Sequence, residues 1–256
     1  MWDLFARLDR PNGNTIVTII IDLHAHERHR KETKTDLRDQ PAYTPAEASR
    51  YLKLPAATLR SWVVGRPYPK ASGVGHSRPL IHPPKKHPLL LTFWNLIEAH
   101  VLRSLRTEHG VSIKKVREAL VYAERAEKID RLLLRKDLRT DAGKLFLDKY
   151  GELIDLSASG QLAMRKIFEE HLKRVDWDQW QFPVRLYPFV SGDTEQRPIA
   201  IDPNIAFGRP VVLRAGVSTG IIAERLDAGE TVGDLTADYG LTFEEVEQAV
   251  LYERAA

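Results

Sequence analysis

Three groups of residues in this chain have the types and spacing to do chemistry. Asp22, His24 and His26 follow the apolar run TIVTIII. Alternate residues of a strand point to one side, so a strand ending in His-x-His could hold a hydrolytic metal. The second group is cationic. From residue 41 to 96 the bases are Arg50, Lys53, Arg60, Arg66, Lys70, Arg78, Lys85 and Lys86, against one acid, Glu47. Such a set neutralises phosphates, with a steep salt dependence. The third group is anionic: beyond residue 198, Arg209, Arg214, Arg225 and Arg254 face ten acids. A net charge of +3 therefore conceals a cationic front and an anionic rear.

The metal reading needs further ligands on later strands of a barrel of about 250 residues. The other histidines, His76, His82, His87, His100, His109 and His171, fall in the basic loop or on expected helices. Residues 1–40 are accordingly expected to be a mobile arm, or an upstream extension holding one stray strand, without a metal site, in which Arg28, Arg30, Lys31 and Lys34 can add nonspecific phosphate contacts. The 256 residues include no cysteine, so disulfides, thiolate metal sites and a cysteine nucleophile are excluded, which suits a reducing cytoplasm. No window approaches the ~18 apolar residues of a membrane span, and no signal peptide is recognisable.

The cationic group must be positioned by the segment YTPAEASRYLKLPAATLRSWVVGRPYP, residues 43–69. Thr44 with Glu47 is a capping box, and Pro45 takes the first helical position, where its missing N–H costs nothing. Ala48 and Leu52 share one face; Leu59, Trp62 and Val63 form another. Two such short helices must pack on each other, which predicts a helix-turn-helix and makes DNA the first partner to consider. The recognition helix is expected over residues 56–63, with Thr58, Arg60 and Ser61 toward the groove and Trp62 in the core. Residues 65–88, rich in Gly, Pro, Lys, Arg and His, suit a β-hairpin wing, with a linker as the alternative. Arg66, Lys70, Arg78, Lys85 and Lys86 are the candidate phosphate contacts.

Next, LLLTFWNLIEAHVLRSLR places Phe93, Leu96, Ile97, Val101, Leu102 and Leu105 on one helical stripe. His109 and Gly110 stop it, Ser112 caps a new helix, and Val116, Leu120 and Ala123 continue the apolar face. The order helix-turn-helix, wing, then FWNLIEAHVLRSLRTEHGVSIKKVREAL resembles a MerR-type winged helix with its supporting helices over residues 43–126. That resemblance implies DNA binding, with the last segment leading toward a dimer interface.

In residues 130–198 a small α+β module is expected. Residues 132–134 and KLFLDKYGELIDLS read as short strands, the latter a hairpin turning at residues 149–151. SGQLAMRKIFEEHLKRV reads as a helix and FPVRLYPFV as a strand. No catalytic triad or phosphate loop is present, and no cofactor is expected. Arg165, Trp177, Trp180, Arg185 and Tyr187 are readable as a protein-binding face or as core. The last segment, residues 199–256, reads as strand, Gly-Arg-Pro turn, strand and three helices. Gly240 marks a turn and Thr242 with Glu245 a second capping box. Ile221, Ile222, Leu226, Leu235, Phe243, Val246, Val250 and Leu251 are expected to share one core. The segment is similar to a small prokaryotic domain family that accompanies toxin genes, through Asp202-Pro203, Gly208-Arg209-Pro210, Arg214 and Gly229. Arg209 and Arg214 are candidate partner contacts, or turn-stabilising ion pairs.

Together the two resemblances look like a VapB-type antitoxin. The fold class expected is mainly α with small β elements: an arm (1–40), a winged helix (41–129), an α+β module (130–198) and a three-helix domain (199–256). What the resemblance implies is a non-enzyme that binds operator DNA, neutralises a PIN-domain ribonuclease toxin and represses its own operon, as a homodimer or a toxin–antitoxin hetero-oligomer. The alternative is a MerR-like regulator sensing a small ligand through residues 130–256.

Overall fold

The computed structural model describes residues 36–70, 73–105, 113–129, 131–135, 141–153, 157–188 and 197–255. The expectations for Asp22, His24, His26 and the basic residues of the arm lie outside these, as do those for His109, Gly110 and Ser112. The last residues before the winged helix are packed. Leu37–Asp39 forms a 3-10 turn, from which Arg38 reaches Asp178 at 2.6 Å and lies over the Trp94 ring at 5.6 Å.

Helix α1 (Pro45–Leu52) starts as its capping box demands: Thr44 Oγ1 accepts from Glu47 N at 3.2 Å, and Glu47 Oε2 accepts from Thr44 N at 2.8 Å. It stops at Lys53, which adopts a left-handed conformation, and α2 (Ala56–Val63) follows from an N-cap at Pro55. The four last carbonyls of α1 all find donors. Leu54 N takes Ser49 O and Lys53 N takes Arg50 O. The Tyr252 hydroxyl takes Tyr51 O at 2.9 Å, and Arg103 Nη1 takes Leu52 O at 2.8 Å.

Strands β1 (Pro67–Lys70) and β2 (Gly73–His76) pair antiparallel as a wing, and β3 (Lys85–Lys86) pairs with β4 (Leu89–Leu90) as a second, shorter hairpin. Helix α3 (Phe93–Arg103) runs through the centre and is buried around almost its whole circumference, including Asn95, Glu98 and His100. Its buried carboxylate is held: Asn95 Nδ2 donates to Glu98 Oε2 at 2.9 Å and Arg131 pairs with Oε1 at 3.1 Å. Even so, burial raises the Glu98 carboxyl above its ordinary value.

Helix α4 (Ile113–Glu127) packs along α5 (Asp141–Leu153), and α6 (Ala158–Lys173) crosses α5. This corrects two readings. Residues 132–134 are a 3-10 turn, and the segment from residue 144 expected as a hairpin lies instead in one helix, Asp141–Leu153. Phe146, Leu147 and Tyr150 are buried in it at helical spacing. Gly151 is no turn; a Cβ there would meet the Gln161 side chain at 3.0 Å, so its smallness lets α6 approach. Strands β5 (Val175–Trp177) and β6 (Pro183–Leu186) form a hairpin after α6. One apolar core runs from Tyr43 through all these elements to Ile201. Of the aromatic residues in this module, Tyr187 is buried, Trp177 half-buried and Trp180 exposed. Arg185 pairs with Asp202 at 2.9 Å, and Arg165 pairs with Asp148.

The rear has its own core around Val212, Ile222, Leu235, Val246, Ala249 and Tyr252. It comprises β7 (Ile199–Ala200), β8 (Val211–Val212) and β9 (Val217–Ser218) in one antiparallel sheet, then α7 (Thr219–Asp227), α8 (Val232–Tyr239) and α9 (Phe243–Arg254). Gly240 supplies the left-handed turn and Thr242–Glu245 the capping box. Ile221, Phe243 and Leu251 are not in this core; they are exposed, because the inward side of α7 and α9 is taken by Ile222, Val246, Ala249 and Tyr252. Tyr252 and Gly208 bring the rear against the winged helix. Tyr252 caps α1 and its ring lies 4.2 Å from Lys53 Nζ. Gly208, at φ +75°, comes so close to the Tyr43 hydroxyl that a Cβ would lie 2.0 Å from it.

Two expectations follow. His100 and His171 meet in the interior with ring centroids 5.0 Å apart and ring planes tilted by 40°; His100 Nε2 donates to His171 O at 2.9 Å, and His171 Nδ1 to Ile167 O at 2.8 Å. Burial holds His171 at about 4 and His100 well below its ordinary value. The unfolded chain therefore takes up protons first, so stability is full above about pH 6.5 and falls as pH drops toward 4, by on the order of 3 kcal/mol for His171. Glu98 works in the opposite sense. Urea unfolding at pH 7.5, 6 and 5 checks this. The double variant His100→Gln, His171→Asn, which keeps both donors, should flatten the decline. Tyr252→Phe should cost about 1–2 kcal/mol in the same assay, because Tyr51 O loses its donor while the ring stays packed.

Candidate nucleic-acid interface

The recognition helix α2 buries Leu59, Trp62 and Val63 against the core and exposes Ala56, Ala57 and Arg60. Arg60 thus stands on the outward face, as the spacing predicts. Ser61 is half-buried at its edge with Oγ donating to Thr58 O at 2.7 Å, and Thr58, one turn earlier on the same flank, is also half-buried. Ala57 was not legible as a candidate, since its methyl carries no polar signal; only its exposure marks it. Trp62 is 1% exposed and serves the core.

The end of α2 is fixed by the chain returning from the wing: Leu80 N and Ile81 N donate to Trp62 O at 2.7 and 3.1 Å. Ile81 anchors that return in the core. At the base of the wing Ser77 N donates to Arg66 O at 2.9 Å, and Ser77 Oγ accepts from Arg66 N at 2.9 Å. Gly65, at φ +86°, makes this closure possible, because a Cβ there would lie 2.0 Å from Ser77 O. The wing is therefore locked to the helix it flanks.

Arg66 is exposed at the base of β1, and Lys70 ends that strand opposite Gly73. Arg78 is exposed just past β2. Lys85 and Lys86 are exposed on the second hairpin, not on the wing itself. Of the other two bases, Arg50 is exposed beside Tyr51, whereas Lys53 turns onto Tyr252 and burial lowers its amine, so it faces the rear domain.

Folding adds two cations that lie far along the chain. Arg117 of α4 donates to Pro79 O at 3.0 Å and to Arg78 O, clamping the wing's exit. Burial, with Arg117, Arg131 and Lys86 adding like charge, holds His82 below its ordinary value. Lys86, Arg117 and Arg131 thus act together on His82, and Arg78 lies beside Arg117. No spacing rule could have linked Arg117 to the wing; only the packing of α4 does so.

The rear differs in kind. Arg214 is held inside its own domain, with Nε and Nη2 on Glu245 at 2.8 and 2.6 Å and Nη2 also on Gly240 O at 2.6 Å. Arg225 pairs with Asp238 at 2.6 Å and with Glu230, and Arg254 pairs with Asp227 at 3.0 Å. Arg209 is exposed beside the turn that meets Tyr43. Among the described residues there is no cluster of three metal-ligating side chains, and no helix is long and apolar enough to cross a membrane.

Known proteins align with both halves of this arrangement. A family described as "Putative DNA-binding HTH domain" matches residues 41–120, and one described as "Protein of unknown function (DUF433)" matches residues 199–252. "Putative antitoxin VapB45" of Mycobacterium tuberculosis (strain ATCC 25618 / H37Rv) is 32% identical over 232 residues, covering 83% of this chain and 93% of that protein. "Uncharacterized protein Rv2308" of the same organism is 25% identical over 236 residues, 86% of this chain and 93% of that one. The crystal structure of Rv2018 from Mycobacterium tuberculosis superposes with a TM-score of 0.61 at 26% identity, covering 83% of this chain and 98% of that one. The front is a DNA-binding helix-turn-helix domain, and the chain as a whole belongs to the family of the antitoxin VapB45.

Proposed function

We propose that this protein is the antitoxin of a type II toxin–antitoxin pair. It is not an enzyme: it neutralises a PIN-domain ribonuclease and represses its own operon, gripping operator DNA as a dimer through a MerR-like winged helix. One observation carries the reading. In a chain of the VapB45 family, an outward Arg60 helix flanked by a locked basic wing is joined to a separately cored acidic domain. The first suits a polyanion; the second suits a protein whose own surface handles one.

On DNA, Arg60 is the base reader, since a guanidinium matches guanine O6 and N7, and Ala57 offers a methyl to thymine. Arg66, Lys70, Arg78, Lys85 and Lys86 hold phosphates and set the register. Thr58 and Ser61 contribute along one edge of the helix. Arg209 is the rear cation open to a partner, whereas Arg214 acts by bracing the Gly240 turn.

The test is fluorescence anisotropy across a salt series, on the duplex upstream of the gene and on a scrambled duplex. Arg60→Ala should weaken the first about tenfold or more and leave the second nearly unchanged. Lys85→Ala should weaken both and reduce the salt slope by about one. Equal losses on both duplexes from both variants would refute this division of labour. The partner is tested by co-expression with the product of the adjacent reading frame and assay of its RNA cleavage.

A further inference from the structure

Helix α9 has two unlike sides. Val246, Ala249 and Tyr252 face inward, while Phe243, Glu244, Glu247, Leu251 and Arg254 are exposed. At about 100° per residue the exposed set falls within one sector of the helix. Phe243 is 67% exposed and Leu251 38%. Helix α7 packs against α9, and Ile221 and Glu224 are exposed on it, with Ile221 at 45%. The Arg254–Asp227 ion pair ties the two exposed faces together. Three large apolar side chains left in water beside carboxylates on paired helices have the composition of a protein contact.

We propose that this α7–α9 face, with Ile221, Phe243 and Leu251 as anchors and Glu224, Glu244 and Glu247 around them, docks the toxin through a cationic, RNA-handling surface of that nuclease. The inference rests on the antitoxin reading and deepens it by placing the contact. Charge decides the occupant. Residues 199–256 have ten acids against four bases, and Arg214, Arg225 and Arg254 are already paired within the domain. The face therefore repels nucleic acid and attracts the surface that binds it. The winged helix of a second copy is also cationic. A rear-to-front contact between copies, however, would cover the DNA-reading helix. The apolar anchors would govern dissociation, and the surrounding carboxylates would speed encounter.

The experiment uses the full-length chain co-expressed with the product of the adjacent reading frame, reading the dissociation constant and inhibition of RNA cleavage. The double variant Phe243→Glu, Leu251→Glu should weaken binding about tenfold or more, with melting temperature and DNA affinity as in the parent. Glu247→Lys should slow association, most at low salt. A parent that binds while the double variant binds equally well would overturn this face and leave the antitoxin reading standing. A parent that fails to bind would remove the antitoxin reading and this inference together. If the parent alone forms larger species by light scattering at low salt, and Phe243→Glu dissolves them, the face joins copies and the inference is overturned.

Discussion

The carbonyl end of α1 lies inside the protein, and satisfying it ties the front of the chain to its rear. A helix leaves four carbonyls without intrahelical partners, and each one buried unmet costs about 1–3 kcal/mol. Two are met locally, by Lys53 N and Leu54 N as the chain reverses toward α2. The other two depend on residues far along the sequence, Arg103 on α3 and Tyr252 on α9. The turn between the two DNA-binding helices is thus shaped from behind. Lys53, which a charge count assigns to phosphate, is drawn into the same junction, stacked on the Tyr252 ring.

With that end fixed, the charges separate by position as well as by sequence. The recognition helix carries Arg60 outward, its far end is tied to the strand leaving the wing, and Arg117 clamps the exit of the wing from α4. Surface charges act over roughly 8–10 Å at physiological salt. Separate basic and acidic faces can therefore serve separate partners. The acidic domain further limits its own cations by pairing them internally, most fully at Arg214, where one guanidinium holds both Glu245 oxygens and Gly240 O.

Local signals were the legible ones. The capping boxes at Thr44 and Thr242, the Gly240 turn, the inward Trp62 and the central stripe of α3 follow from rules spanning a few residues, and the structure has them. Where the reading failed, two local rules competed or a distant contact decided. KLFLDKYGEL opens on a short apolar run that a strand and a helix can share, and its Lys-Tyr-Gly resembles a turn. Packing of α5 between α4 and α6 overrides this, and Gly151 marks a close crossing of helices instead. Phe243 and Leu251 were read as core because apolar type predicts burial, but a short amphipathic helix with apolar residues on two sides does not reveal which side the domain uses. Of the candidate interface, the outward position of Arg60 was readable from helical spacing. Arg117 at the wing's exit was not, because it arrives through tertiary packing alone.

Helix α9 has two unlike sides, and their geometry limits how a partner on one could affect the other. Its inner side caps α1 through Tyr252, while its outer side exposes Phe243 and Leu251. Coupling that switches DNA affinity requires an element with two arrangements, each favoured by a different ligand. A capping hydrogen bond within a packed core supplies one arrangement. A partner on the outer side of α9 therefore stabilises the domain by mass action, and through Tyr252 it stabilises the end of α1 without repositioning Arg60. On that ground, loading the rear should raise the melting temperature of the whole chain while leaving base readout by α2 intact. A loss of operator selectivity on loading would require a second arrangement of the α1–α9 junction.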